Sequence, residues 1–272
     1  MAACVVYQAA TDVELAENQI AIAISDGAFG SHLGIAYRLG DDKPVLLHLA
    51  FHKILAQLAY PSVDPWLVYV IALEPSLASQ LVGILDAMFS RYQGATNGGI
   101  EYGINLYDSL RSISFDAEYR PFGESDGLTC ASFVAAIFEA MHIPLVDIAT
   151  WEVDALNKVW GEAVICYLHA FGADSEHIDA VQKNNNGLRL RPDEVAGAAI
   201  GFVPGKPKTY REVQPSAREV INRVREFCGP ADRGHDGDSY SRCRKTYYQN
   251  IDDIVAQRAN LITVIRNLAN KI

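Results

Sequence analysis

The chain has 272 residues, half of them apolar, so it can bury a sizeable core as one large domain or as a domain with an appendage. Its formal net charge of −10 at pH 7 argues against a general binder of phosphate backbones, and we expect no nucleic-acid partner. Its five cysteines include no Cys-x-x-Cys pair, which indicates neither a disulfide framework nor a zinc ribbon and favours a reducing compartment.

The apolar segments of the chain argue against membrane insertion. The N-terminus lacks a basic region followed by a long apolar core, and stretches such as Trp66–Leu73 are too short to span a bilayer. We therefore expect no transmembrane segment and a cytoplasmic protein. Export by a specialised machine that needs no cleaved signal stays open.

Four strands are predicted in the first quarter of the chain. Short runs rich in β-branched or aromatic residues lie between turns, near Ile20–Ser25, His32–Leu39, Val45–Phe51 and Trp66–Leu73. We expect these strands to form a mostly antiparallel sheet. His32 then stands at the beginning of one strand, and the turn at residues 40–43 lets His48 lie beside it in an antiparallel pair.

A helix and a long loop follow the strands. Pro75–Arg91 predicts a helix, because a proline suits the first turn and the apolar residues recur at helical spacing. Tyr102–Ser125 is irregular, and we expect a loop that lines a substrate cleft. Its aromatic side chains fit the edge of the core equally well, and Tyr102 is the weaker of the cleft candidates.

Cys130 is the candidate nucleophile. The small-residue turn Asp126–Ala131 leads into an apolar helix that continues to about Met141. In the first helical turn, unpaired backbone N–H groups and the helix dipole favour a thiolate and can bind an oxyanion. With His32 as base and His48 as the group that orients it, this is the combination expected for thiol-dependent acyl transfer. The alternative interpretation is a buried, structural cysteine.

These residues resemble a known family. The strand pair that contains His32-Leu33-Gly34-Ile35-Ala36-Tyr37 and His48-Leu49-Ala50 is similar to the "His-Val-Gly-Ile-Tyr … Ile-His-Ala" strands of NlpC-type papain-like cysteine peptidases. The run Thr129-Cys130-Ala131-Ser132-Phe133-Val134 is similar to their "Asp-Cys-Ser-Gly-Phe-Val" helix start. In the usual members the cysteine precedes the histidine. Here it follows, as in the circularly permuted branch that contains lecithin:retinol acyltransferase-like enzymes.

The resemblance covers mainly residues 20–140 and carries expectations about fold and catalysis. It implies an α+β protein with a papain-like core in permuted order, made of an antiparallel sheet and a nucleophile-bearing helix, to which a mainly helical C-terminal extension is added. It also implies Cys130 as nucleophile, His32 as base and His48 as the third, polar residue. Thr129 replaces the family's aspartate and Ser132 its glycine.

Other roles in the site have more than one candidate. His52 and the turn carboxylates Asp41 and Asp42 are alternatives to His48 as the third residue. The candidates for substrate binding flank the nucleophile and the base or lie in the preceding loop: Ser31, Tyr102 and Thr129. The mechanism requires no metal and no organic cofactor.

The second half has weaker periodicity. Helical segments are predicted at Leu145–Leu156 and Val164–Phe171, a turn at Asn184–Gly187, and a buried strand within the apolar run Val195–Val203. Gly229–Ser241 predicts an exposed linker. Four of its side chains are metal ligands in type, but a solvated acidic loop is the stronger interpretation: Asp232, His235, Asp236 and Asp238.

The apolar stripe of a final helix at Tyr247–Ala269 needs a partner, either Pro215–Phe227 or a second copy in a homo-oligomer. The expected organisation is a catalytic core at residues 1–145, a continuation of the core or a cleft-lining region at 146–228, and a linker with the C-terminal helix at 229–272.

The sequence thus predicts a cysteine-dependent hydrolase of a peptide or cell-wall-type amide that works through a thioester acyl-enzyme. The alternatives are a lipid ester or amide hydrolase or acyltransferase, a toxin that modifies a host protein by the same chemistry, and a non-catalytic binding or assembly protein.

Overall fold

The computed structural model describes residues 6–7, 15–27, 30–40, 42–60, 66–92, 99–111 and 127–228. The strands are β1 (Val6–Tyr7), β2 (Ile20–Gly27), β3 (Gly30–Tyr37), β4 (Val45–Phe51), β5 (Ile54–Ala59) and β6 (Leu67–Ile71). The helices are α1 (Pro75–Tyr92), α2 (Leu106–Arg111), α3 (Cys130–Ala140), α4 (Ala155–Ala170), α5 (Ser175–Lys183), α6 (Pro192–Ala199) and α7 (Tyr210–Cys228). The predicted linker and final helix, together with Asp41, lie outside the described residues.

The strands form one antiparallel sheet in the order β1-β6-β2-β3-β4-β5. This arrangement confirms the predicted α+β class and the antiparallel pairing. Each predicted strand is present with ends shifted by at most two residues. β5 was not predicted, because a tight turn at His52 and Lys53 joins it to β4 and leaves no turn signal of glycine or proline between them.

One face of the sheet carries the main core. Isoleucine and leucine side chains from β2, β3 and β4 point to this face, where they pack with the apolar residues of α3, and α6 and α7 pack against the sheet as well. Nearly every residue of α3 is buried, which explains why this helix is apolar on all sides. The face therefore fixes α3, and with it Cys130, against β3 and β4.

The opposite face of the sheet carries smaller side chains. Ala21, Ala23 and Ala36 lie there beside Leu46 and Val68, and all five are fully buried. Large residues complete the cluster near the edge of the sheet: Leu15, Tyr60 and Trp66. Because successive side chains of a strand alternate between faces, His32 and His48 project to this second face while Leu33, Leu47 and Leu49 project to the main core.

The prediction of a buried strand at Val195–Val203 was wrong, because this run belongs largely to α6. Pro192 begins the helix, and Asp193 and Glu194 lie in its first turn, where acidic residues are favourable. All eight residues of α6 are buried. A helix buried on every side has no polar face, so its sequence shows no helical period and reads like a buried strand.

The predicted helix at Leu145–Leu156 was also wrong over most of its length. A single 3-10 turn spans Ile148–Thr150, and α4 begins only at Ala155. The carboxylate of Asp154 accepts a hydrogen bond from the Leu156 N–H at 2.9 Å and so caps α4. The second predicted segment, Val164–Phe171, lies in the C-terminal half of this helix.

The longest described helix is α7, with 19 residues. It contains the predicted segment Pro215–Phe227 and starts five residues earlier, with Pro215 inside it. Val213, Ala217, Val220 and Val224 are buried at helical spacing. No helix within the described ranges is long and apolar enough to cross a membrane.

Candidate active site

His32 and His48 form a hydrogen-bonded pair. Nε2 of His32 lies 2.7 Å from Nδ1 of His48, and the two rings meet edge to face with centroids 4.9 Å apart. Strands β3 and β4 produce this contact, since their register pairs Ile35 with Leu47 and brings His48 diagonally across from His32. The predicted contact between the two histidines is therefore present.

The histidine pair lies in an apolar environment beside Trp66. The indole centroid is 5.8 Å from the centroid of each imidazole. Burial lowers the pKa of His32 to about 4, and burial together with the neighbouring His32 lowers the pKa of His48 to about 4. Both rings are consequently neutral at pH 7. Nε2 of His48 is buried and has no hydrogen-bond partner among the described residues.

Cys130 begins α3, as predicted, and Thr129 caps the helix. The Thr129 hydroxyl accepts a hydrogen bond from the Ser132 N–H at 3.0 Å, and the Ser132 hydroxyl accepts one from the Thr129 N–H at 2.8 Å. This reciprocal capping box satisfies two backbone donors. It also holds the first turn of α3, and so the backbone amides around Cys130, in a fixed position.

The thiol of Cys130 faces three backbone amides, those of Leu33, Ala131 and Cys130 itself, each of which lowers its pKa. The charge of Arg189 acts in the same direction. Burial has the larger effect and raises the pKa of the thiol above its ordinary value. The expectation of a thiolate stabilised by the helix start was therefore wrong for the resting protein, because the side chain is almost fully removed from water.

The thiol and the imidazole of His32 lie on either side of one peptide unit. The N–H that faces the sulfur belongs to Leu33, whose side chain shares the main core with Cys130. The ring of His32, one residue earlier, projects to the second face beside Trp66. No hydrogen bond joins the thiol to either imidazole in the part of the chain that the structure describes. The structure thus brings His32 and His48 together by their side chains, and Cys130 to the backbone next to His32.

The predicted substrate-binding residues have structural partners. Thr129 caps α3, and the ring of Tyr102 is buried against Phe51 with a centroid distance of 4.9 Å. Ser31 is half-buried and pairs with Asp26 across β2 and β3, next to His32. Of the three, Ser31 lies beside the proposed base and Thr129 beside the proposed nucleophile.

Of the alternative third residues, His52 and Asp42 lie within the described residues, and neither is hydrogen-bonded to His32. Nδ1 of His52 accepts a hydrogen bond from the Tyr102 N–H at 3.3 Å, and the ring packs on His177. Asp42 is exposed on the β3–β4 turn, at the opposite end of β3 from His32. His48 is thus the candidate that reaches the base.

Arg189 is a residue near the thiol that the sequence analysis missed. Its guanidinium stacks on the ring of Trp160 at 3.5 Å from the centroid, and its charge reaches both Cys130 and Asp193. Arg189 lies in the segment between α5 and α6, and α5 was not predicted. No motif in the sequence connects this segment with the start of α3.

The site carries no arrangement typical of a metal centre. Among the described residues, no group of three or more His, Cys, Asp or Glu side chains is placed to hold a metal ion. No protein-family model, curated protein or solved structure matches the chain. The chemistry open to the site therefore depends on the geometry of Cys130, His32 and His48.

Proposed function

We propose that the protein is a cysteine-dependent hydrolase of a peptide or cell-wall-type amide bond, with Cys130 as nucleophile on a permuted papain-like scaffold. One observation carries the proposal. The buried thiol at the start of α3 faces the backbone amide that follows His32, and the ring of His32 is hydrogen-bonded to His48 at 2.7 Å. The proposed base is thus joined to the proposed orienting group by a hydrogen bond, and the proposed nucleophile faces the backbone next to that base.

The roles proposed for the two histidines rest on the hydrogen bond between them. His32 uses Nε2 for its bond with His48, so Nδ1 is the atom left to take the thiol proton. Nε2 of His32 then carries a proton and donates it to Nδ1 of His48, which leaves the proton of His48 on Nε2. In this tautomer His48 fixes the ring of His32 and remains neutral.

The pKa values favour a neutral resting pair. The pKa of the Cys130 thiol is raised, and that of His32 is lowered to about 4, so at pH 7 the proton stays on sulfur. In the proposed mechanism His32 removes this proton as the sulfur attacks the carbonyl carbon. General-base assistance of this kind contributes roughly 10²- to 10⁴-fold to a rate.

In the proposed reaction the thiol of Cys130 attacks the amide carbonyl of the substrate. The sulfur of Cys130 forms a bond to the carbonyl carbon, and the carbonyl oxygen becomes an oxyanion facing the amides of Cys130 and Ala131 at the helix start. The carbon–nitrogen bond then breaks, and the imidazolium of His32 gives its proton to the leaving amine. Water, activated by the same ring, attacks the thioester and releases the acid and the thiol.

The resting geometry requires one local movement. The sulfur is not hydrogen-bonded to His32, and the two side chains leave β3 and α3 in different directions. The regular β3–β4 ladder ends at Ile35 and Leu47, before it reaches His32. The proposed reaction therefore requires a rearrangement that brings the thiol and the His32 ring to the same side of β3. Catalytic hydrogen bonds often tighten only when substrate binds.

A second candidate is a non-catalytic binding or assembly protein. The observation in its favour is the burial of Cys130, which is 5% exposed and whose thiol pKa is raised. A lipid ester or amide hydrolase, or an acyltransferase, would use the same thioester chemistry as the proposed peptide hydrolase. Only the identity of the substrate that reacts distinguishes these enzymes from one another.

Thiol reactivity tests the proposal with an internal reference. Cys166 is half-buried on α4 and donates to the carbonyl of Glu162. Iodoacetamide labelling of both cysteines is followed by mass spectrometry between pH 4 and 9, in wild type and in His32→Ala. We expect the substitution to slow labelling at Cys130 and to leave Cys166 unchanged.

A substrate screen completes the test. Peptide amides and lipid esters are offered to wild type, to Cys130→Ala and to His32→Ala, and the mass of the intact protein is measured to detect an acyl adduct. An adduct at Cys130 that forms only in the presence of His32 supports the proposal. Equal labelling of Cys130 with and without His32, and no adduct with any acyl donor, would favour the non-catalytic candidate.

A further inference from the structure

The segment before α2 is held on both sides by hydrogen bonds. On one side, Nδ1 of His52 accepts from the Tyr102 N–H at 3.3 Å, and the His177 Nε2–H donates to the Tyr102 carbonyl at 3.0 Å. On the other side, the Glu101 carbonyl accepts from the Leu128 N–H at 2.9 Å. Two imidazoles thus occupy the place that a neighbouring strand has in a β-ladder.

The other edge of residues 101–103 is hydrogen-bonded to Leu128, which lies close to Cys130 in the sequence. Besides its bond to Glu101, Leu128 accepts a hydrogen bond from the Gly103 N–H at 3.3 Å, and Cys130 follows two residues later. Gly127 has φ +108°, and a Cβ there would lie 2.3 Å from the Glu101 carbonyl oxygen. The turn before Cys130 is therefore packed closely against residues 101–103.

The histidines come from two separate elements. His52 lies on the β4–β5 turn and His177 on α5, and their ring centroids are 4.7 Å apart. Nδ1 of His177 is 3.2 Å from the Glu101 carboxylate while its Nε2 faces a carbonyl, so both nitrogens are satisfied when both carry a proton. Nδ1 of His52 has the opposite requirement, because an N–H can donate to it only when it is unprotonated.

We propose that His52 and His177 are positioning residues for Cys130, which hold the Tyr102 peptide between them and, through Leu128, fix the turn that carries the nucleophile. The inference rests on the proposed role of Cys130. It assigns to His52 a function other than the third catalytic role, and it makes the position of the turn dependent on the protonation of His52.

The charges around His52 determine the direction of this dependence. His177 of α5 and Lys53 of the same turn oppose its protonation, whereas Glu101 and Asp174 favour it. Burial is the largest influence, and the pKa of His52 lies below its ordinary value. Lys53 is tied to both carboxylates, at 3.5 Å from Glu101 and 3.6 Å from Asp174. Acidification converts Nδ1 of His52 into a donor, which removes the bond to Tyr102 and loosens the turn.

The test measures amide hydrogen exchange by NMR between pH 7.5 and 4, expressed as protection factors. The decisive amide is that of Leu128, because its own hydrogen bond to Glu101 is not altered by a change at His52. His52→Ala is compared with His52→Asn, whose side-chain oxygen can take the place of Nδ1 and does not titrate. The Val220 amide of α7 reports global unfolding.

We expect His52→Ala to lower the protection of Leu128 by roughly two- to tenfold at pH 7, the effect of losing one hydrogen bond. His52→Asn should keep the wild-type protection and lose its decline at acidic pH. His177→Gln keeps a donor toward Tyr102, so its Leu128 protection factor should lie between those of wild type and His177→Ala. The labelling rate of Cys130, relative to that of Cys166, should change across these variants in the same order as the Leu128 protection factor.

Two results would overturn the inference. One is a Leu128 protection factor that is the same in wild type and His52→Ala at every pH. The other is a change at Leu128 that leaves the labelling of Cys130 unaltered. The proposed function is tested by a separate measurement, because turnover that survives Cys130→Ala would show that Cys130 is not the nucleophile. The exchange of the Leu128 amide would still report on the two histidines.

Discussion

A side chain at Gly34 would meet Cβ of His48 at 3.0 Å, so the absence of a side chain at position 34 lets β4 approach β3 where the two histidines meet. The carbonyl oxygen of Leu47 would be closer still, at 2.9 Å. Gly34 is also the glycine of the His-Leu-Gly-Ile-Ala-Tyr run. Its place in the run thus has a physical reason in this fold, since it allows close packing around His48.

Gly34→Ala is therefore expected to separate the strands locally. The new methyl group meets backbone as well as side chain, so relief requires β4 to move, and we expect a loss of about 1–3 kcal/mol in the free energy of unfolding. Urea denaturation measures this loss. Gly83→Ala on α1, where a Cβ meets nothing within 4 Å, is the matched control and should be neutral or stabilising. Equal effects of the two substitutions would refute the packing argument.

His48 is expected to act by orienting His32. His48→Leu removes the acceptor for Nε2 of His32, whereas His48→Asn keeps an oxygen close to the position of Nδ1. We expect kcat on the first substrate found to fall by about 10²-fold in His48→Leu and by much less in His48→Asn, with little change in KM. Wild-type kcat in His48→Leu would assign His48 to the core rather than to the mechanism.

The sequence was sufficient to predict β3, β4 and the start of α3. Short runs rich in β-branched or aromatic residues between turns identify the strands, and a small-residue turn before an apolar run marks the helix start. The sign of the thiol pKa shift was not predictable in this way. The helix dipole is worth about 0.3–1 kcal/mol, and the desolvation of a buried thiol outweighs it, but burial depends on how α3 packs against β3.

The histidine pair also predicts how stability depends on pH. His32 has a pKa of about 4 in the folded state and about 6.5 unfolded, so the unfolded chain takes up this proton first. The stability that the neutral, buried His32 contributes to the free energy of unfolding is fully present above pH 6.5. It is lost as the pH falls toward 4, and the loss is on the order of 3 kcal/mol. Burial raises the pKa of Asp193 to about 6, so the folded state takes up this proton before the unfolded chain does. Protonation of Asp193 therefore favours the folded state as the pH falls, which is opposite to the effect of His32.

Asp193 is present in both wild type and His32→Gln, so the difference in stability between these two proteins reports the effect of the histidine alone. Urea denaturation is measured at pH 7 and at pH 4.5 for both proteins. Wild type should lose more stability on acidification than the variant does. An identical loss in the two proteins would mean that His32 is not buried in a neutral form.

Thr129 is predicted to act through the helix cap. Thr129→Ala removes the acceptor of the Ser132 N–H, and we expect a loss of about 1 kcal/mol in the free energy of unfolding. Thr129→Ser keeps the hydroxyl and should cost much less. If both variants unfold at the same urea concentration, the hydroxyl does not cap α3 in solution.

Much of the region beyond α3 could not be derived from the sequence, and the reason is physical. Burial on all sides removes the polar face of α6, so its periodicity is lost. His177 reaches Tyr102 across 75 positions of sequence, through a helix whose placement depends on that core. Interactions of this kind are set by packing between distant segments, which local patterns do not encode.

Glu194 is expected to be the strongest polar determinant of this second half. Its carboxylate is 2% exposed and accepts hydrogen bonds from Trp151 Nε1 at 3.1 Å, the Arg191 N–H at 2.9 Å and Gln214 Nε2 at 3.2 Å. The three donors come from the loop before α4, the start of α6 and α7. Glu194→Ala leaves all three without this acceptor, and each buried donor left unsatisfied costs about 1–3 kcal/mol.

We expect Glu194→Ala to lower the free energy of unfolding by about 3 kcal/mol or more, with Glu194→Gln between it and wild type. Glu219→Gln, an exposed residue of α7 paired with Arg223, is the control and should change stability by less than about 0.5 kcal/mol. Removing the charge of Glu194 should also lower the pKa of Asp193, because that charge raises it. Urea denaturation and carboxyl NMR measure the two effects. An unchanged Asp193 in Glu194→Gln would place the two carboxylates farther apart than the structure does.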